Sequence, residues 1–556
     1  MTRRRPGAVV AGIAAIAVVG ATAGAWLAAT GSGPFAPSGP TTPRFVEETA
    51  SAGIDQTYDG PLAYFAGGGA AVLDCNDDGR PDLYVAGGTN PAALYTNDSS
   101  VGGALRFERL ASSTTDLTDV TGAYPLDVDG DGVTDLAVLR IGGNVLLRGT
   151  GDCGFEPANA ALRLDGGDAP TMAFAATWEG SNALPTLAFG NYVNPAGTGP
   201  ADKCVDDVLV RPAGAGSAAG YAAPLPLHPS WCTLSLLFSD WDGSGRRDLR
   251  VSNDRHYYLD GEEQLWRIEP GAPPRQYTAA DGWVTVNVEG MGIASQDLTG
   301  DGLPEVFLTS QGSNRLQTLI DGSGTPAYRD IGLSRNVNAE RPFTGGDTLP
   351  STAWHPEFDD VNNDGWLDLF ISKGNVKAQP DFALKDPSNL LLGQADGTFV
   401  ERADAAGILD FDLGRGAALA DFNLDGLQDL VEVHLASPVR IWRNVGAGTA
   451  AAPAALGGWL GIRVTDPASP NRDAIGGWLE VRAGERTIRR ELTIGGGHGS
   501  GQLGWLHAGF GAATDAQVRV TWPDGETGPW MAAGGDRFIE LRRGAPDPIA
   551  WQPPAR

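Results

Sequence analysis

Six stretches of the chain place oxygen-bearing side chains at the first, third, fifth and ninth positions of a short loop, with Gly at the sixth. They are Asp74, Asn76, Asp78 and Asp82; Asp127, Asp129, Asp131 and Asp135; Asp240, Asp242, Ser244 and Asp248; Asp297, Thr299, Asp301 and Glu305; Asp360, Asn362, Asp364 and Asp368; and Asp421, Asn423, Asp425 and Asp429. Hard cations such as calcium take six to eight oxygens, and a tight Gly turn lets a loop curl around the ion with alternate side chains inward. An EF-hand would add a bidentate Glu at position twelve and flanking helices. Position twelve here is Val85, Val138, Val251, Leu308 or Ile371, and only the last loop has Glu432. The pattern therefore reads as a β-hairpin calcium loop. Magnesium demands a stricter octahedron and retained waters, so calcium is expected, at about six sites. The 240 loop, with Ser244, and the 297 loop, with Thr299 and Glu305, are expected to bind more weakly. The alternative, an Asp/Gly-rich turn that binds nothing, does not account for a ninth-position carboxylate kept in six copies.

These loops need scaffolding, and the residues around them show its kind. A seventh, decayed copy runs from Trp178 through Gly180 and Asn182 to Thr186-Leu187 without the carboxylates. The copies begin at 74, 127, 178, 240, 297, 360 and 421, a period of 51 to 63 residues. Such a period marks a repeat architecture. Small and apolar residues precede each loop, as in GGGAAVLD and GRGAALAD. Short β-type runs follow, such as LYVAG, LAVLR, VFLTS and LFISK. Further on, most units reach another apolar run and an aromatic: Phe107, Phe155, Tyr277, Tyr328 or Phe399. Three or four strands per unit suit one propeller blade, and seven units suit a closed ring. Phe45-Val-Glu at the start resembles Phe399-Val-Glu, so it is expected to close the last blade, pairing edges that an open ring would expose.

Charge and composition narrow the function. Asp and Glu number 68 against 40 Lys and Arg, a formal charge of −28, which repels phosphate backbones and argues against nucleic acid as a partner. With 78 Gly and 38 Pro the 556-residue chain is too turn-rich for a helical bundle, and 42% hydrophobic residues make it too apolar for disorder. Arg3, Arg4 and Arg5 precede an uncharged run from Gly7 to Ala29, which reads as a secretion signal or a membrane anchor. Either places the bulk of the chain outside the cytoplasm. Cys75, Cys153, Cys204 and Cys232 form no CxxC, and an exported chain permits two disulfides. Cys204–Cys232 is the preferred pair, because both lie in one long irregular stretch.

After a spacer the pattern changes to strand-like runs at Trp459–Val464, Trp478–Val481 and Val518–Trp522, separated by Gly-rich turns. His498 and Ser500 lie in one of these turns and invite a catalytic reading, but no G-x-S-x-G elbow frames Ser500. The six His include no HExxH, so a zincin is excluded.

The repeated units resemble the FG-GAP (VCBS) repeats of integrin-α-type seven-bladed propellers, whose loops of this form bind calcium. Asn471-Arg-Asp-Ala-Ile-Gly476, Gly495-Gly-Gly-His498-Gly-Ser500 and Trp522-Pro-Asp-Gly525 look like signatures of the ASPIC/UnbV domain. The order of the two resembles the cartilage acidic protein family and its bacterial relatives, which implies secretion and calcium-loaded repeats but no established reaction. The expected organisation is all-β: a signal peptide or anchor over 1–30, a Pro/Gly linker over 31–43, a seven-bladed β-propeller over 44–446, a spacer over 447–456, a small β domain over 457–545 and a tail over 546–556. The expected function is a calcium-binding extracellular interaction or adhesion scaffold, a monomeric ectodomain with a protein or glycan ligand. A carbohydrate-binding or polysaccharide-degrading enzyme using a propeller face is the alternative, because one fold hosts both classes.

Overall fold

The computed structural model describes residues 41–194, 203–213, 220–254, 259, 261–320, 322 and 324–554. The N-terminal run read as signal or anchor lies outside these residues, as does most of the linker. No helix among them is long and apolar enough to cross a membrane.

The repeats fold into four-stranded antiparallel sheets. Ala70–Leu73, Asp82–Val85, Ala93–Asn97 and Phe107–Leu110 pair in sequence order, and five later sheets repeat that up-and-down order. In the remaining sheet Leu413–Ala420, Asp429–Leu435 and Arg440–Asn444 are followed in space by Phe45–Glu47. Phe45 lies opposite Asn444 and Glu47 opposite Trp442, as Phe399 lies opposite Gly393 and Glu401 opposite Leu391 in the preceding sheet. The two Phe-Val-Glu segments thus fill the same fourth-strand place. Each runs into one helical turn, Thr49–Ala52 or Ala403–Ala406, stopped by Gly53 (φ 86°) or Gly407 (φ 90°) in the left-handed region that glycine enters freely. The architecture is all-β and consistent with a β-propeller.

Burial follows chain position. The first strand of each sheet is nearly all buried, from Val120–Leu126 and Thr171–Thr177 to Thr233–Ser239. Each first strand packs against the next, and Leu413–Ala420 meets Ala70–Leu73. The aromatics that close the units help seal adjacent sheets: Phe107 meets Phe422 of the neighbouring sheet (5.5 Å between ring centroids), and Phe399 meets Phe358 of its own sheet (6.4 Å), which meets Phe307 of the preceding one (6.2 Å). Burying such a ring stabilises by about 1.5–3 kcal/mol.

Two disulfides are present, Cys75–Cys153 and Cys204–Cys232. The second is the pair preferred from the sequence. The first ties the hairpin loop of the first sheet to the second sheet.

The C-terminal part forms two further sheets around one core containing Leu460, Ile462, Leu479, Val518, Val520 and Ile539. One orders Leu506–Gly511, Gly458–Thr465, Arg537–Arg542 and Ile549–Trp551; the other orders Arg486–Glu491, Trp478–Ala483, Ala516–Thr521 and Met531–Gly534. Within the stretch expected as a tail, Ile549–Trp551 therefore form a strand. Trp551 explains why, since its ring packs on Phe538 and Trp505.

Removing residues 44–54 strips the fourth strand from Arg440–Asn444 and leaves that edge unpaired. Unpaired edges recruit other chains. The truncated protein is expected to elute as oligomers in size-exclusion chromatography, and a monomer of unchanged melting temperature would show that Phe45–Glu47 does not protect the edge.

Candidate metal loops and the hub they surround

Each acidic loop joins the first two strands of a sheet in one shared register. The residue before position one pairs with position nine: Leu73 with Asp82, Leu126 with Asp135, Ser239 with Asp248, Gln296 with Glu305, Asp359 with Asp368 and Ala420 with Asp429. The decayed copy keeps it, Thr177 opposite Thr186.

Two carboxylates hold each turn. At position one, a carboxylate oxygen accepts the amide of the Gly at position six, from Gly79 (2.8 Å), Gly132 (2.8 Å), Gly245 (3.0 Å), Gly302 (2.9 Å), Gly365 (2.7 Å) and Gly426 (2.7 Å). Those glycines have φ between 76° and 90°, where a side chain would be strained. At position nine of four loops, those of Asp82, Asp135, Asp368 and Asp429, one oxygen accepts the amide of position two and the other an amide of the third strand. For Asp135 these are Val128 (2.8 Å) and Gly149 (2.7 Å); for Asp368, Val361 (3.0 Å) and Gly393 (2.8 Å); for Asp429, Phe422 (3.1 Å) and Asn444 (2.7 Å). The ninth carboxylate is thus a staple across three strands with lone pairs to spare.

The loops gather buried carboxyl groups whose ionisation is disfavoured. Burial, reinforced by the neighbouring loop carboxylates, pushes Asp74 and Asp127 up to about 6 and Asp82 and Asp135 up to about 8. Asp360, Asp368, Asp421 and Asp429 rise well above the ordinary range for the same reasons. Oxygens of Asp127, Asp129 and Asp135 all lie within 4.8 Å of one another. Buried, converging carboxylates that resist ionisation are a donor set suited to a hard cation.

Only the folded chain reveals what covers these loops. The C-terminal domain touches all six. The Trp505 indole donates to the Gly79 carbonyl (2.8 Å), Arg472 approaches Asp127 (3.9 Å), and Glu491 accepts the Asp240 amide (2.7 Å). Arg489 donates to the Gly302 carbonyl, His507 pairs with Asn363 (2.6 Å), and Trp459 lies against Gly426. The docking of this domain is therefore expected to depend on the state of the loops it rests on.

The same domain fills the hub. Gly501–Gln502 adds in parallel to Ala70–Leu73, and bridges join Ala123 to Ser500, Ala176 to Ile494, Leu237 to Gly495 and Ile293 to Gly497. His498 is fully buried at its centre, its ring tilted against Trp354 (5.1 Å between centroids), and its amide donates to His355 Nδ1 (3.0 Å). Burial, with Arg415 and His355 adding to it, pushes the His498 imidazole down to about 3, so it is neutral. The Ser500 hydroxyl accepts the Ala70 amide (3.0 Å). Both side chains that invited a catalytic reading are engaged in hub contacts. The sequence signal for this plug was present but undirected: glycines at 495, 496, 497, 499 and 501, and small residues on the first strands.

Two outcomes follow. A Cβ at Gly69 would penetrate the Gly499 carbonyl, whereas one at Gly143 meets nothing nearer than 3.4 Å. Gly69→Ala is expected to cost about 1–3 kcal/mol in denaturant unfolding, as overpacking does, and Gly143→Ala much less; equal effects would show that the plug is loose. The second concerns pH in chelator. The loop carboxyls hold protons in the folded state up to pH 6–8, but at 3.8 when unperturbed. The folded state then binds more protons, so stability falls as pH rises through that window. Melting temperature in chelator is expected to drop between pH 5 and 8.5, and saturating calcium to remove most of the drop.

Residues 467–547 match the family model described as ASPIC and UnbV, and residues 74–138, 297–371 and 360–432 match the FG-GAP-like repeat. The chain is 29% identical over 172 residues to cartilage acidic protein 1 of Mus musculus, covering 28% of this chain and 23% of the relative. It is 30% identical over 161 residues to the Xenopus tropicalis protein of that name, covering 28% and 22%. The matches thus span under a quarter of these relatives' length. Among solved structures, an Agrocybe aegerita lectin described as recognising non-reducing terminal N-acetylglucosamine aligns at a TM-score of 0.37 and 14% identity over 67% of this chain and 93% of its own, a likeness that carries no functional argument. The chain carries FG-GAP-like repeats followed by an ASPIC and UnbV domain, with weak homology to cartilage acidic protein 1.

Proposed function

We propose that the protein is an extracellular calcium-stabilised scaffold built on a closed seven-bladed propeller. The observation that carries this is the shared hairpin register, which sets buried carboxylates at equivalent places in six sheets. The bridging of Phe45–Glu47 to the last sheet and the contact of Leu413–Ala420 with Ala70–Leu73 support closure. The FG-GAP-like repeats and the similarity to cartilage acidic protein 1 support an extracellular location.

Where a loop takes calcium, the ion would be held by the side chains at positions one, three, five and nine, together with a backbone carbonyl. The ion supplies positive charge where the fold has buried negative charge. The chain's own part is to hold the oxygens convergent through the staple at position nine and the Gly turn at position six. With one face covered by the C-terminal domain, the opposite face is the surface available to a protein or glycan ligand.

Extracellular modules often bind calcium with Kd of ~10⁻⁴–10⁻³ M. At tenfold excess each site adds about 1.4 kcal/mol by mass action. Several such sites together rival the ~5–15 kcal/mol stability of a typical domain. Chelator is expected to lower the melting temperature well below that in millimolar calcium, and Asp127→Ala to reproduce part of the shift. Coincident melting curves with and without calcium would overturn the proposal.

A further inference from the structure

The hairpin at Asp240 carries the acidic pattern, yet its centre is filled by the chain itself. Arg246, at position seven, folds back over its own loop. Its Nε donates to Asp248 Oδ1 (2.9 Å) and its Nη2 to Asp248 Oδ2 (3.1 Å), while Nη2 also lies 3.5 Å from Asp242 Oδ2. The Trp241 indole and the Tyr277 hydroxyl donate to Asp248 Oδ2 as well (2.9 and 2.8 Å), and the Ile268 amide to Oδ1 (3.0 Å). Asp248 is fully buried. A carboxylate offers about four lone-pair sites, and five donors already surround this one. Asp135, Asp368 and Asp429 each accept only two backbone amides.

Arginine at position seven does not by itself produce this arrangement. Arg80 stands at the same place in the first loop, but its Nε donates to the Ser99 carbonyl (3.2 Å) and its Nη1 reaches only Asp78 (3.4 Å), away from Asp82. The difference lies in the partners. Trp241 and Tyr277 pack edge-to-face (5.9 Å) and hold Asp248 toward Arg246, whereas position two of the first loop is Cys75, tied to Cys153. In the second loop Arg148 reaches Asp129 (2.8 Å) and Asp131 (2.9 Å) from outside, is 42% exposed, and leaves Asp127 and Asp135 untouched.

The decayed copy next to the Asp240 hairpin repeats the device. Arg211 binds Glu179 through Nε (2.7 Å) and Nη2 (3.0 Å), and the hydroxyl of Thr186, at position nine, donates to the same carboxylate (2.6 Å). Paired guanidinium–carboxylate contacts of this geometry are directional and strong.

We propose that Arg246 takes the place of calcium in the Asp240 hairpin, so that Asp240, Asp242, Ser244 and Asp248 hold no metal. The protein then binds one ion fewer than its acidic loops. The two hairpins at 178–186 and 240–248 form a sector whose order does not depend on calcium. This rests on the calcium reading of the other loops.

Metal counting and hydrogen exchange on the full chain test it. In equilibrium dialysis against millimolar calcium, Asp127→Asn is expected to bind one ion fewer than wild type and Asp240→Asn the same number. In Arg246→Leu, which installs the residue found at this position in the 297 and 421 loops, one ion is expected to be gained. In chelator, amides of 248–253 are expected to keep their protection while those of 135–140 and 429–435 exchange faster. Loss of an ion in Asp240→Asn, or loss of protection at 248–253 equal to that of the other hairpins, would overturn the proposal. No bound calcium in any of these proteins would instead overturn the calcium reading itself.

Discussion

Buried negative charge is the constraint around which this molecule is organised. A carboxylate removed from water is costly unless it is paired or hydrogen-bonded. Here six sheets place one at the root of the second strand, where it ties the loop to the strands beside it. The benefit is a rigid hairpin in one register. The consequence is a crowd of carboxyls at one end of the sheets, held far from their ordinary ionisation.

The fold answers that charge in three physically distinct ways. Divalent cations in the convergent loops are the first, as proposed for the sites at Asp74, Asp127, Asp297, Asp360 and Asp421. Guanidinium groups of the sheets themselves are the second, seen where Arg246 meets Asp248 and Arg211 meets Glu179. The C-terminal domain is the third. Its strand Arg486–Glu491 lies over the loop face, with Arg490 near Asp359 (3.4 Å) and Arg486 over the Trp366 ring (3.3 Å). A basic strand laid on an acidic face couples the docking of that domain to the state of the loops beneath it.

The hub obeys a different rule, set by space. First strands packed one against the next leave room for backbone but little for side chains. Gly69 and Gly122 approach the Gly499 carbonyl so closely that a methyl group on either would collide with it. A glycine-rich segment fills such a channel while its amides and carbonyls meet those of the surrounding strands. The buried backbone groups are thereby satisfied, as they must be away from water.

Local spacing was enough to read the repeat period, the hairpin that carries each acidic loop, and the closing strand, because each is encoded within a few adjacent residues. Phe45-Val-Glu and Phe399-Val-Glu announce the same place in a sheet, and the Gly at position six announces the turn. The Cys204–Cys232 pairing followed from nearness in the chain. Three features belonged to the tertiary structure alone. Whether an arginine at position seven enters its loop depends on Tyr277, some thirty residues on, so Arg80 and Arg246 look equivalent in sequence and differ in space. The roles of His498 and Ser500 depend on first strands as far as 430 residues away, which turn a suggestive Gly-His-Gly-Ser into packing. The strand Ile549–Trp551 forms only because Phe538 and Trp505 offer its tryptophan a surface. In each case the deciding partner is distant in the chain, and burial against that partner, rather than local spacing, sets which contact the side chain makes.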